Sequence, residues 1–297
     1  MNLDIISFNA TAPGTGAAMA AVAGDPNTVR NAAPGSRVMM LGLWTWAQGV
    51  GYTQLTWPSG HDLVRGFRAR NLANQITNKV PAGGLTSFRG QDPLTITEVG
   101  SASSGKVETA MMLFWYEDLP GIDAHLIDMP TLIARGRNIL TIEDTITTTG
   151  GGVGYSGARA LNAASDLLKA NTEYAILGAQ VGANCGGLTV RGVDFGGLRI
   201  GMPGDASIDP TSAAGFFCGI SEQFDLPAIP VFNSANRAGT FIEALGNDAN
   251  TAVPFSLFLC ELDQVQQANM DVPGGTEQAP VVRGASNLGR YLHPAKA

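Results

Sequence analysis

Six bulky apolar residues, MMLFWY, run unbroken from position 111 to 116 inside VETAMMLFWYEDL (107–119), after which the chain turns acidic. A strand with one face in water alternates apolar and polar residues, whereas one covered on both faces reads as a continuous apolar run. Six residues is an ordinary strand length and far short of the ~20 that a membrane-crossing helix needs. FSLFLC (255–260) is a second run of the same kind. Both are predicted to be strands with one face in their own sandwich and the other against a sister domain or another subunit. LGLWTWAQG (41–49) predicts a strand with Leu43, Thr45 and Ala47 on one face and Trp44 and Trp46 on the other. Two indoles side by side read first as core; the functional alternatives are an inter-subunit anchor or a sugar-stacking platform. Helical spacing is sparser. Leu63, Phe67 and Leu72 in HDLVRGFRARNLANQITN, and Phe216, Ile220 and Phe224 in SAAGFFCGISEQF, predict one helix in each half. ALNAASDLLKAN (160–171) is a third candidate, with Asn171 as its C-cap.

The pattern repeats along the chain. Residues 1–42 written above 137–178 without a gap share strand-like openings, glycine-rich turns, an alanine-rich stretch and the same ending, VMMLG over YAILG. HDLVRG (61–66) then matches GGLRIG (196–201). LTITEVGSASSGKVETAMMLFWYEDL, from Leu94, lies over TFIEALGNDANTAVPFSLFLCELD, from Thr240, so each half closes on a β-hairpin. Three blocks in the same order predict an all-β chain of two tandem, related β-sandwich or jelly-roll domains with short inserted helices. Their expected bounds are 1–125 and 126–265, with a link around LPGIDAHLIDMPT, and 266–297 form an extended C-terminal arm rich in Pro, Gly and Ala.

Composition narrows the function. The 297 residues are 44% apolar and only 14% charged, with 38 glycines, as expected of a loop-rich β protein. The net charge of −7 argues against phosphate gripping, and the one dense basic cluster, RGFRAR (65–70), reads as a solvated face; no sequence-specific nucleic-acid binding is expected. Cys185, Cys218 and Cys260 lack metal or disulfide spacing. The N-terminus lacks the basic and apolar regions of a signal peptide, so synthesis in a cytoplasm is expected.

Candidate chemistry is sparse. The three histidines, His61, His125 and His293, are too scattered for a cupin-type metal cluster. Asp123, His125 and Asp128 in GIDAHLID form a conceivable metal site, but read better as a polar inter-domain turn. GYSGA has the wrong spacing for a nucleophile elbow, and TTTGGGVGYSGA lacks the ending of a phosphate loop. No catalytic residue, metal or cofactor is therefore expected.

Duplicated β-domains carrying VMMLG/YAILG, LVRG/LRIG and two closing hairpins resemble, in architecture, the double jelly-roll major capsid proteins of icosahedral DNA viruses and bacteriophages. The resemblance covers roughly residues 1–265. It implies a non-enzymatic virion protein whose homotrimers form pseudo-hexameric building blocks of a capsid lattice, with minor capsid or vertex proteins as further partners. Members often enclose a lipid membrane, which RGFRAR would then face. In that setting Trp44, Trp46, Phe114, Trp115, Phe258 and Leu259 are the candidate subunit-interface residues. The alternatives are a decoration, spike or tail protein, a carbohydrate-binding module using Trp44 and Trp46, and a bicupin-like enzyme.

Overall fold

Among the described residues, frequent turn formers cut the first half into nine strands: β1 (Asn2–Thr11), β2 (Ala17–Ala18), β3 (Ala20–Ala21), β4 (Val38–Ala47), β5 (Tyr52–Thr56), β6 (Phe67–Arg70), β7 (Gln75–Asn78), β8 (Thr95–Val99) and β9 (Val107–Tyr116). The second half contains β10 (Leu126–Ile127), α1 (Met129–Arg135), β11 (Gly136–Thr147), β12 (Arg159–Ala160), α2 (Leu161–Ala164), β13 (Glu173–Val181), β14 (Cys185–Arg191) and β15 (Arg199–Pro203). It continues with α3 (Pro210–Ala214), α4 (Phe216–Phe224), β16 (Ile229–Asn233), β17 (Phe241–Gly246) and β18 (Ala252–Leu262). This computed structural model describes residues 1–11, 17–60, 62–81, 83–99, 107–150, 153–164, 167–182, 185–204 and 208–263. His61, the turn at Gly100 and the expected arm from Gln266 lie outside the described residues.

Each half is a pair of antiparallel sheets. In the first they run β3-β1-β9-β4-β7 and β2-β8-β5-β6; in the second, β10-β16-β13-β18-β11 and β12-β17-β14-β15. With the eight strands of each half counted from β1 (β2 and β3 together making the second) and from β11, both halves pair first-eighth-third-sixth in one sheet and second-seventh-fourth-fifth in the other. That is jelly-roll order, so the chain is all-β with two tandem jelly rolls.

The likeness extends to single residue pairs. Residue n of β1 or β4 corresponds to n + 136 in β11 or β13, and residue n of β9 to n + 145 in β18, at every pairing the two ladders share. Leu3 opposite Trp115 thus answers to Ile139 opposite Cys260, and Trp44 opposite Met111 to Gln180 opposite Ser256. Even the bulges coincide, between Met40 and Gly42 and between Ile176 and Gly178. In the other sheet β5, β6 and β8 map onto β14, β15 and β17 with shifts of 135, 133 and 146. The sequence match of HDLVRG to GGLRIG is therefore two residues out of register, because the loops before β6 and β15 differ in length.

The helices depart from expectation in two places. HDLVRGFRARNLANQITN forms β6 and β7, joined by a turn with Asn74 at φ 55°, and no helix. Its supposed apolar stripe does not hold together, Leu63 (61%) and Leu72 (51%) being exposed and only Phe67 packing against the first core, while the ladder to β5 fixes β6 as strand. In ALNAASDLLKAN only α2 is helical among the described residues; Asn171 does take a left-handed conformation, in a turn before β13. SAAGFFCGISEQF is helical, as α3 and α4. Asp209 caps α3 by accepting from the Ser212 amide at 2.9 Å, α4 ends at left-handed Asp225, and Phe217 and Ile220 enter the core. The link between the halves is also structured: β10 joins the second sheet, and Asp128 caps α1 at the Thr131 amide.

Candidate assembly interface

The unbroken apolar run of β9 serves two cores. Ala110, Met112, Phe114 and Tyr116 point into the first sandwich with Ile6 and Phe8 of β1 and Met40 and Leu43 of β4. Met111, Leu113 and Trp115 point the other way, with Leu3, Ile5, Met39, Trp44 and Trp46, and join the core cluster of the second half. The outer face of one sheet of the first sandwich is thus pressed against β14 and β15 of the second. β18 differs. Val253, Phe255, Leu257 and Leu259 are buried; on the other face Cys260 is buried too, but Ser256 and Phe258 are only half-buried. The expectation for FSLFLC is corrected in part: its second face meets no sister sheet, but with α3 and α4 packed on the adjacent β13 it is closed by its own half at Cys260 and only half-closed at Phe258 and Ser256.

Close approach at this seam depends on residues without side chains. A Cβ on Gly187 would lie 1.9 Å from Met111 Sδ, and one on Gly201 2.9 Å from Ile5 Cγ1. Glycines on β14 and β15 therefore receive the knobs of β9 and β1.

Polar groups close one end of the seam. Asp25, from the first half, accepts from the Ser7 amide (2.8 Å), from the Tyr155 hydroxyl (2.7 Å) and from Arg199 Nη1 (2.8 Å). Arg199 also donates Nε to Glu243 (2.9 Å) and lays its guanidinium over the Tyr155 ring, 4.4 Å from the centroid. Glu243 takes a further bond from Arg191. Burial pushes the Asp25 carboxyl upward against the pull of these donors. This cluster ties the halves together and is almost fully withdrawn from water, Asp25 being 2% and Arg199 16% exposed at the side chain.

Two further carboxyls are sealed inside the first sandwich. Asp4 pairs with Arg30 at 2.5 Å, and burial, only partly offset by that guanidinium, lifts it to about 7. Glu98 accepts from Thr53 Oγ1 (2.6 Å) and Asn71 Nδ2 (2.5 Å), and burial again raises it to about 7. Both are saturated by protein donors and face no open cleft. Asp128 is engaged as a helix cap, and His125 Nδ1 lies 3.6 Å from Glu173. Among the described residues no three His, Cys, Asp or Glu side chains come together as a metal site.

The residues singled out from sequence fall into three groups. Trp44 (6% exposed), Trp46 (5%) and Trp115 (2%) lie on the face that meets the second sandwich, while Phe114 and Leu259 are inside their own sandwiches. Their assignment to a subunit interface is corrected, because the chain covers all five by itself. The tryptophan faces are equally closed to a sugar. Phe258 alone keeps partial access to solvent. The Asp25–Arg199–Tyr155 cluster joins residues far apart in sequence and left no trace there. Asp4 and Glu98 did leave one, since each is an acidic residue at a position whose strand neighbours two away, such as Ile6 and Ile96, are core residues.

No family model and no curated protein matches the sequence. Among solved structures, the PBSX exported protein XepA is 8% identical, over 84% of this chain and 86% of its own, with a TM-score of 0.21. The STIV MCP is 10% identical over 88% and 97%, with a TM-score of 0.20. A chain described under "The Triple Jelly Roll Fold and Turret Assembly in an Archaeal Virus" is 8% identical over 88% and 78%, also at 0.20. Overlays this loose carry no weight beside the strand order and register described above, which stand as the evidence for the tandem jelly-roll fold.

Proposed function

We propose that this chain is a virion structural protein, a non-enzymatic capsid subunit whose homotrimers present six jelly rolls as a pseudo-hexameric block of the shell. The reading takes residues 1–125 and 126–265 as the two domains and 266–297 as an arm reaching a neighbour. The observation that carries it is the repeat itself: two sandwiches of one register stand side by side, joined through the outer face of one sheet and the glycine-lined sheet of the next. Such a seam is heterologous, and heterologous contacts extend into closed rings or open arrays. A decoration protein or a sugar-binding module does not call for that arrangement. Native mass measurement and electron microscopy of the purified full chain test the reading, with trimers or shells as the expected result. A chain that remains single at the highest attainable concentration would overturn it.

A further inference from the structure

The seam inside the chain uses one face of each sandwich; of the corresponding faces, that of the first sandwich at β5 and β6 points outward, and on that of the second α3 and α4 lie over β13 while β11 and the middle of β18 stay accessible. On the second sandwich, the equivalents of Leu3, Ile5 and Ser7 are Ile139, Thr141 and Glu143, and those of Met111 and Leu113 are Ser256 and Phe258. Ile139 is 55% exposed, Glu143 is exposed and Phe258 is half-buried. On the first sandwich, the equivalents of Gly187 and Gly201 are Tyr52 and Arg68. Arg68 is exposed, donates to Gln54 Oε1 at 2.8 Å and stacks 4.9 Å above the Tyr52 ring, so the three side chains form one ordered surface.

We propose that the outer face of β5 and β6 of one copy docks on the outer face of β11 and β18 of a second copy, repeating between chains the contact of β14 and β15 with β1 and β9 that joins the two sandwiches within one. The inference rests on the shell-subunit reading and names its contact surfaces. Two observations carry it besides the shared register. The first is an exchange of sizes. Within the chain, large Met111 and Ile5 meet Gly187 and Gly201; at the equivalent positions between chains, small Ser256 and Thr141 would meet large Tyr52 and Arg68. Where the first sandwich carries Trp44 and Trp46, the second carries Gln180 and Gly182, and an open depression of about 580 Å³ lies there, walled by these two with Ser256 and Glu143. The second is charge. Arg68 and Arg70 stand out on the donor face, and Glu143 lies one pleat from Thr141 on the receiving face. Because the donor and receiving faces differ, each copy keeps one of each, as a ring requires.

The test uses the full chain and follows its mass by sedimentation equilibrium across concentration and salt. Wild type should associate, less tightly as salt rises. Arg68→Glu and Glu143→Arg should each weaken association by about tenfold or more, and the doubly reversed chain should return to within about threefold of wild type. Tyr52→Ala, which leaves the charges in place, should weaken it too, with the circular dichroism unchanged in every variant. If wild type associates and the single reversals associate equally well, the docking surfaces are wrong while the shell reading stands. If the single reversals fail and the double is not rescued, the apposition of Arg68 with Glu143 is wrong. If wild type stays a single chain, both fall.

Discussion

Asp4 and Glu98 are the carboxyls that folding shifts furthest. A carboxyl held at about 7 in the folded chain, against an ordinary 3.8 for Asp or 4.5 for Glu, keeps its proton through that window while the unfolded chain has lost it. The folded state then binds the extra proton, so stability falls as pH rises from about 4 to about 7 and levels off above. Glu98 alone contributes on the order of 3 kcal/mol of that slope. Urea midpoints should therefore drop between pH 5 and pH 8, and Glu98→Gln should flatten part of the fall; an unchanged slope in that variant would place the titration elsewhere. Arg199 acts in the opposite sense. Removing it leaves Asp25 and Glu243 without their shared cation, so Arg199→Met should cost about 3–5 kcal/mol in chemical denaturation. Tyr155→Phe, which deletes one bond to Asp25, should cost only about 1 kcal/mol.

At the scale of the element, the decisive feature is which side chains are missing. Gly187→Ala places a methyl group on fully buried Met111 and should destabilise by about 1–3 kcal/mol, readable as a lower melting temperature; a neutral effect would mean the seam is looser than described. The strands themselves were legible in the sequence. The alternation in LGLWTWAQG set the faces of β4 correctly, and MMLFWY announced a strand covered on both sides. The duplication was legible through VMMLG and YAILG, which lie in register at the shared bulge. What stayed hidden depended on partners. β6 and β7 looked helical because their apolar residues fall at loose helical spacing, and only pairing with β5 and β4 makes them strands. The two long apolar runs looked alike, yet only the one in β9 has a sister sheet against its second face. The seam glycines were invisible for the same reason, since a glycine in a strand does not say what approaches it.

For the molecule as a whole, the two halves are alike in path and unlike in exterior. The first presents a broad apolar face through Leu3, Ile5, Met111, Leu113 and Trp115, and the second meets it with Gly187, Thr189 and Gly201 among ionic groups. A fragment of residues 1–125 should therefore self-associate and bind a hydrophobic dye, whereas 126–263 should stay dispersed. Dispersed, dye-free 1–125 would show that the face is not held closed by its sister.

That dependence also has a direction in time. The apolar face of the first sandwich is finished once β9 has left the ribosome, but β14 and β15, which cover it, follow only after some seventy to ninety more residues. At about 5–20 residues per second this leaves a bare surface for roughly 4–18 seconds in every round of synthesis. Nascent chains crowded on one message would meet each other during that interval, and faster elongation or a chaperone's grip would shorten their exposure.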